Sequence, residues 1–124
     1  MILFLKTSDS LCEFWFDEQY FSWEAGRDMA HGILNFLRNC MNESAVKFND
    51  IKGIAVYEGP GSFTSLRIGI TVANTLANSE KIPIVGARSD NWRYLAKERL
   101  ESGENQKTIV PFYGTEANTT KPSR

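Results

Sequence analysis

Three glycines, a proline and three hydroxyl side chains crowd the stretch EGPGSFTSLRIG, residues 58–69, which runs straight into an apolar pattern of helical spacing. A glycine turn that feeds a helix leaves backbone N–H groups pointing at whatever sits before the helix, and this is a common cradle for phosphate. Gly59, Gly61, Ser62 and Thr64 are therefore the candidate nucleotide contacts. The details fit poorly. A phosphate-binding P-loop needs a lysine before its Ser/Thr, and none stands there. The dinucleotide fingerprint G-x-G-x-x-G requires glycine at 64, where the chain has Thr64. A second reading of the same residues is a sharp strand-to-helix turn, with Ser62 and Thr64 capping the helix.

Other reactive residues are sparse. His31 is the single histidine, which rules out a two-histidine metal site of the H-E-x-x-H kind. Ser62 does not lie in a G-x-S-x-G elbow, so a serine hydrolase is equally unsupported. Cys12 and Cys40 have neither CxxC nor Cys/His spacing and read as two reduced, buried thiols. The first strand ends LKTSDS, so Lys6 stands where a Mg²⁺-holding aspartate would be expected, and Asp9 comes three residues later. No catalytic residue, metal or cofactor is expected.

The elements that must position these residues follow from periodicity. Ile2–Lys6 reads as a buried strand, and LCEFWF (11–16) and QYFSW (19–23) as a hairpin turning at Asp17-Glu18. Apolar positions at 30, 33, 34, 37, 40 and 41 predict a helix over 27–41. A strand over 51–59 precedes the glycine turn. Helix is then predicted over 64–79 with Thr64 as its cap, strand over 81–87, helix over 89–102 capped by Ser89 or Asp90, and a last strand over 108–114. The expected fold is α/β: a mixed sheet of five to six strands with helices packed on it, in a single domain 1–114 with a polar tail 115–124. The chain has 124 residues, a formal net charge of −1 and 42% hydrophobic residues, which fits one globular domain and gives no basic balance for binding nucleic acid alone. The N-terminus lacks the pattern of a signal peptide and no apolar run reaches membrane-span length, so a cytoplasmic protein is expected and the sequons at Asn42 and Asn118 are chance matches.

The first two helices carry more apolar surface than one sheet can use. At about 100° per residue, Phe36, Met29, Cys40, Ile33, Leu37, Ala30, Met41 and Leu34 cover roughly 160° of the first. Ile68, Val72, Leu76, Gly69, Ala73, Leu66, Ala77 and Ile70 cover roughly 200° of the second, against the ~100° that a sheet needs. Either the helices cover one another, or they meet two helices of a partner.

GPGSFTSLRIGITVANTLANSEKIPIVGARS resembles the signature of the bacterial TsaB (YeaZ) proteins, a glycoprotease-like family whose hallmark reads GPGSFTGLRIG. Ten of those eleven positions agree, and Ser65 replaces a glycine. LKTSDS is similar to the family's D-T-S strand with Lys6 in place of aspartate. GRDMAHGILNFL resembles its helix opening, and VPFYGTEANTTKPSR its C-terminal tail, with Thr115 where arginine is common. Family chains are usually longer, so the resemblance implies a minimal form without the second subdomain. It also implies half of an actin-like, ribonuclease-H-like ATPase fold that has lost its own catalysis. Its implied role is that of a non-catalytic subunit acting with TsaD and the ATPase TsaE to make threonylcarbamoyladenosine beside the anticodon of tRNA. TsaD would carry the metal and the transfer chemistry, and tRNA would be met only through the complex. The implied TsaD interface is formed by the first two long helices. By position it takes Met29, Ile33, Phe36 and Cys40 with Ile68, Val72, Thr75 and Leu76. A homodimer through the same helices, and a small nucleotide-binding enzyme using residues 59–64, remain alternatives. The proteolysis implied by the family's older label is untenable for a metal-dependent enzyme with one histidine.

Overall fold

A computed structural model describes residues 1–112. Alternation in LCEFWF puts Cys12, Phe14 and Phe16 on one face and Glu13 and Trp15 on the other, as a strand with two unlike faces requires. This strand, β2 (Leu11–Phe16), lies between β1 (Ile2–Lys6) and β3 (Gln19–Glu24), antiparallel to both. Asp17 takes a left-handed φ of 55° at the hairpin turn. β4 (Gly53–Tyr57) and β5 (Ile84–Ala87) add in parallel on the other side of β1, and their runs of buried residues reflect coverage on both faces. The sheet order is β3-β2-β1-β4-β5, mixed as expected and five-stranded among the described residues.

Helix α1 (Met29–Ser44) follows a short 3₁₀ turn at Gly26–Asp28, two residues later than its apolar spacing predicts and running three residues further. Helix α2 (Phe63–Glu80) is capped by Ser62, whose Oγ accepts from the Ser65 N–H at 3.5 Å; Thr64 is already inside the helix. Helix α3 (Trp92–Glu101) starts three residues after the predicted position, because the Ser89 hydroxyl donates to Asn91 Oδ1 rather than capping a turn. α1 and α2 lie on the face bearing Leu3, Leu5, Phe14, Ile54 and Val56, while α3 covers Phe4, Ala55 and Tyr57 on the other.

Residues 108–112 form no strand; the rest of the predicted last strand, and the tail 115–124, lie outside the described residues. Side chains do part of the work of a sixth strand. The Gln106 N–H donates to Ile84 O at 2.8 Å, Asn105 Oδ1 accepts from Ile84 N–H at 3.1 Å, and Gln106 Oε1 accepts from Gly86 N–H at 2.7 Å. Arg99 of α3 donates to Gly86 O at 2.7 Å, which satisfies the last outward carbonyl of β5. Asn74 of α2 then binds both backbone groups of Ile109, at 2.9 and 3.0 Å.

Candidate functional site

The glycine loop is closed by its own neighbours. Ser62 N–H donates to Ser8 O at 2.6 Å, Tyr57 Oη–H donates to Pro60 O at 3.1 Å, and Phe112 N–H donates to Glu58 O at 2.6 Å. Gly59 has φ +128°, open to glycine alone, and a Cβ there would run into the carbonyl of Phe112. A Cβ at Gly61 would meet Ser8 O at 2.5 Å. On these sides the loop backbone therefore presses on protein, leaving no gap of phosphate size.

Residues around it give a nucleotide little to hold. Lys6 Nζ sits 4.8 Å from the centre of the Tyr57 ring, and a cation there cannot ligate Mg²⁺. Asp9 Oδ1 accepts from Leu11 N–H at 2.9 Å and so shapes the turn into β2. Among the described residues no three His, Cys, Asp or Glu side chains gather to hold a metal ion. His31 lies on the exposed side of α1. Cys12 and Cys40 are buried; burial, with each thiol's anionic neighbours adding to it, pushes them up to about 12 and about 11. Neither is a nucleophile at neutral pH.

The loop's constraints instead fix where α2 lies. Thr7, fully buried at the end of β1, donates from Oγ1 to Ser65 O at 2.8 Å. Gly69, one turn on, lies so close that any Cβ would overlap Thr7 Oγ1. α2 is thereby drawn onto β1 and carries Ile68 and Val72 beside α1.

Between the two helices an open groove of about 420 Å³ is lined by Ala30, Leu34, Thr64, Arg67, Ile68 and Val72, among others. Leu34 is 59% exposed at its lip, and beyond Leu34 a second hollow of about 410 Å³ continues toward Phe48. Of the interface residues chosen by position, Ile68 and Val72 are half-buried walls of the groove and Thr75 is exposed on the same helix. The other five sit deeper in the chain or to the side of the groove. Met29 and Cys40 are buried against the sheet, and Ile33 is buried at the floor of the groove that it helps to line. Leu76 is likewise buried and forms part of the floor of the second hollow. Phe36 occupies the opposite edge of the stripe, stacked on Phe14 at 5.2 Å and tilted against Trp23 at 5.6 Å. Choice by position passes over Ala30, Leu34, Arg67 and Thr71. The signal for the first two was in the wheel, where they form the stripe's other edge.

Residues 23–111 match the model of the family described as TsaD, tRNA N6-adenosine threonylcarbamoyltransferase. The chain belongs to that family. Its curated relatives within the TsaD and TsaB group carry both names. A tRNA N6-adenosine threonylcarbamoyltransferase of Syntrophus aciditrophicus is 37% identical over 62 residues, half of this chain and 18% of the relative. The tRNA threonylcarbamoyladenosine biosynthesis protein TsaB of Buchnera aphidicola from Schizaphis graminum is 30% identical over 88 residues, 66% of this chain and 42% of the relative. YeaZ from Pseudomonas aeruginosa superposes with a TM-score of 0.63 at 28% identity, over 82% of this chain and 49% of its own. The fold is thus the ribonuclease-H-like, actin-like half that YeaZ shares, and the TsaB resemblance read from GPGSFTSLRIG holds. This chain spans less than half the length of these relatives. No helix among the described residues is long and apolar enough to cross a membrane.

Proposed function

We propose that this TsaD-family chain is a non-catalytic scaffold subunit of the assembly that makes threonylcarbamoyladenosine beside the anticodon of tRNA. In this reading it docks a TsaD-like catalytic subunit on the α1–α2 groove and is inactive alone. A TsaE-like ATPase joins the larger complex, and tRNA is met only through it. The observation that carries the reading is the apolar groove itself, with Leu34 more than half exposed at its lip between Ala30 and Val72. An exposed leucine over an apolar hollow between two helices has the form that an apolar helix of a partner fits. The names of the relatives supply the pathway. The glycine loop packed against Ser8 and Phe112, and a cation at Lys6 that cannot ligate Mg²⁺, support the absence of catalysis.

Co-expression with a TsaD-like subunit tests the docking. Leu34→Asp and Val72→Asp place a charge in the groove at exposed or half-exposed positions, so each variant is expected to fold as wild type by circular dichroism and to lose co-purification. If both variants bind as wild type does, the docking surface is elsewhere. ATP hydrolysis by the chain alone, abolished by Gly61→Val, would refute the non-catalytic reading.

A further inference from the structure

The two ends of the sheet are finished differently. β5 is met by Asn105, Gln106 and Arg99, whereas among the described residues β3 pairs with β2 alone and its far side is an open edge. Which of its backbone groups are open follows from the ladder. Ala25 N–H, one residue past β3, donates to Ser10 O at 3.0 Å, and Asp17 N–H donates to Ile2 O at 2.9 Å. Antiparallel bonding alternates residue by residue, so Gln19, Phe21 and Trp23 turn their N–H and C=O groups to β2. Tyr20, Ser22 and Glu24 turn theirs outward. Such an edge is ordinarily blunted by lysine, proline or a bulge. QYFSWE has neither residue, and its pairing with β2 runs from Gln19 to Glu24 without a bulge.

We propose that β3 pairs antiparallel with β3 of a second copy, about a two-fold axis at Ser22, joining the two sheets into one. Ser22 then stands opposite its twin, and Tyr20 opposite Glu24 of the second copy. Every outward N–H and C=O of both strands finds a partner in this register. Moving the axis to Phe21 leaves Glu24 unmatched within the strand, and moving it to Trp23 leaves Tyr20 so. On the helix side Phe21 falls opposite Trp23 of the second copy, at positions between the hydrogen-bonded pairs, where side chains stand closest. Both rings are only half-buried in the single chain, and Tyr20 on the other face is 47% exposed. A strand of another protein would meet the same backbone groups. The twin alone makes the Phe21–Trp23 contact twice, and it closes the assembly, because β5 offers no further ladder. None of the residues lining the α1–α2 groove lies on β3, so the edge is a separate surface.

Sedimentation equilibrium of the full chain at about 200 μM is expected to show a reversible dimer, since an edge of this size makes a small interface. The Val72→Asp chain is measured beside wild type, so that pairing through the helix groove is not mistaken for pairing through β3, and it is expected to dimerise as well. Ser22→Pro removes an N–H that has no partner in β2, so the fold should survive by circular dichroism while the dimer weakens more than about tenfold. Ser22→Cys is expected to give a disulfide-linked dimer on air oxidation with copper phenanthroline. Gln19→Cys should give none, because the two copies of residue 19 stand about 20 Å apart in this register. Cys12 and Cys40 are buried and do not compete. A Val72→Asp chain that is monomeric at this concentration, a dimer indifferent to Ser22→Pro, or equal cross-linking at 19 and 22 would each overturn the proposal. If Ser22→Pro does not fold, amide hydrogen exchange of the Val72→Asp chain decides in its place. Exchange at Tyr20, Ser22 and Glu24 that slows with rising concentration supports the pairing, and exchange independent of concentration refutes it.

Discussion

Gly69→Ala probes the contact that seats α2. The added Cβ enters the space of Thr7 Oγ1 and lies 3.0 Å from Thr7 Cγ2, both on a side chain that is fully buried at the end of β1. Overpacking of this kind costs about 1–3 kcal/mol. Pushing Thr7 aside also breaks its hydrogen bond to Ser65 O, worth about 1 kcal/mol. Alanine's better helix propensity returns about 1 kcal/mol. The net expectation is a loss of about 1–3 kcal/mol, a large fraction of the stability of a small domain. Thr7→Ala alone should cost about 1–2 kcal/mol for the lost hydrogen bond and buried methyl. In the double variant Oγ1 and Cγ2 are gone, so the alanine at 69 has room and its clash largely disappears. The double variant should therefore be more stable than the sum of the singles by about 2–4 kcal/mol, the relieved clash plus the hydrogen bond that both singles lose, toward the upper end of what residues in contact show. Urea unfolding followed by tryptophan fluorescence measures all four corners of the cycle. A Gly69→Ala protein as stable as wild type, or an additive cycle, would refute the claim that the helix is held by this close approach.

Phe36→Ala removes a half-buried ring stacked on Phe14 and is expected to cost about 2–4 kcal/mol, read as a lowered urea midpoint, while leaving partner binding of the folded fraction unchanged. Asn74→Ala releases both backbone groups of Ile109 and should cost about 2 kcal/mol; amide hydrogen exchange is expected to speed up at Ile109 far more than in β1, and unaltered protection of Ile109 would refute the anchoring role. The two thiols, raised from near 9 to about 12 and about 11, contribute stability that is complete below pH 9 and is lost as pH climbs through those values, because the unfolded chain releases their protons first. Iodoacetamide at pH 8 should accordingly modify Cys12 and Cys40 only as fast as the protein opens, and rapid labelling of the native protein would contradict their burial.

Period-two alternation in β2 and β3 and the continuous apolar run of β4 place the sheet, because alternation answers to strands with two unlike faces and an unbroken run to a strand covered on both faces. The excess width of the α1 and α2 stripes is also visible in the residues alone. Which edge of the α1 stripe faces outward is not, since that depends on a residue from another element. Trp23 of β3 reaches α1 so closely that a Cβ on Gly32 would meet its ring at 2.5 Å, and with Phe14 it shelters Phe36. Among the described residues nothing comparable shelters Leu34, which is left at the groove. The cap of α2 is a similar case. Ser62 and Thr64 are equally good caps by type, and the choice falls to Ser62 because Ser8 ties its N–H and holds it extended, at ψ 128°. The segment 108–112 has the composition of a strand, but Asn74 occupies the backbone of Ile109 and Pro111 has no N–H to give.

How β5 is finished bears on the solubility of the whole sheet. A sixth backbone strand would have covered β5 and presented a fresh row of unpaired N–H and C=O groups, on which another molecule could add. Asn105, Gln106 and Arg99 meet the outward groups of Ile84 and Gly86 chiefly with side-chain atoms, which have no further ladder to offer. The ladder is chain-terminated in the sense of a polymer whose last unit cannot propagate. Growth of the sheet at this end would first require the amide and guanidinium groups to let go, so aggregation by strand addition is steered to β3.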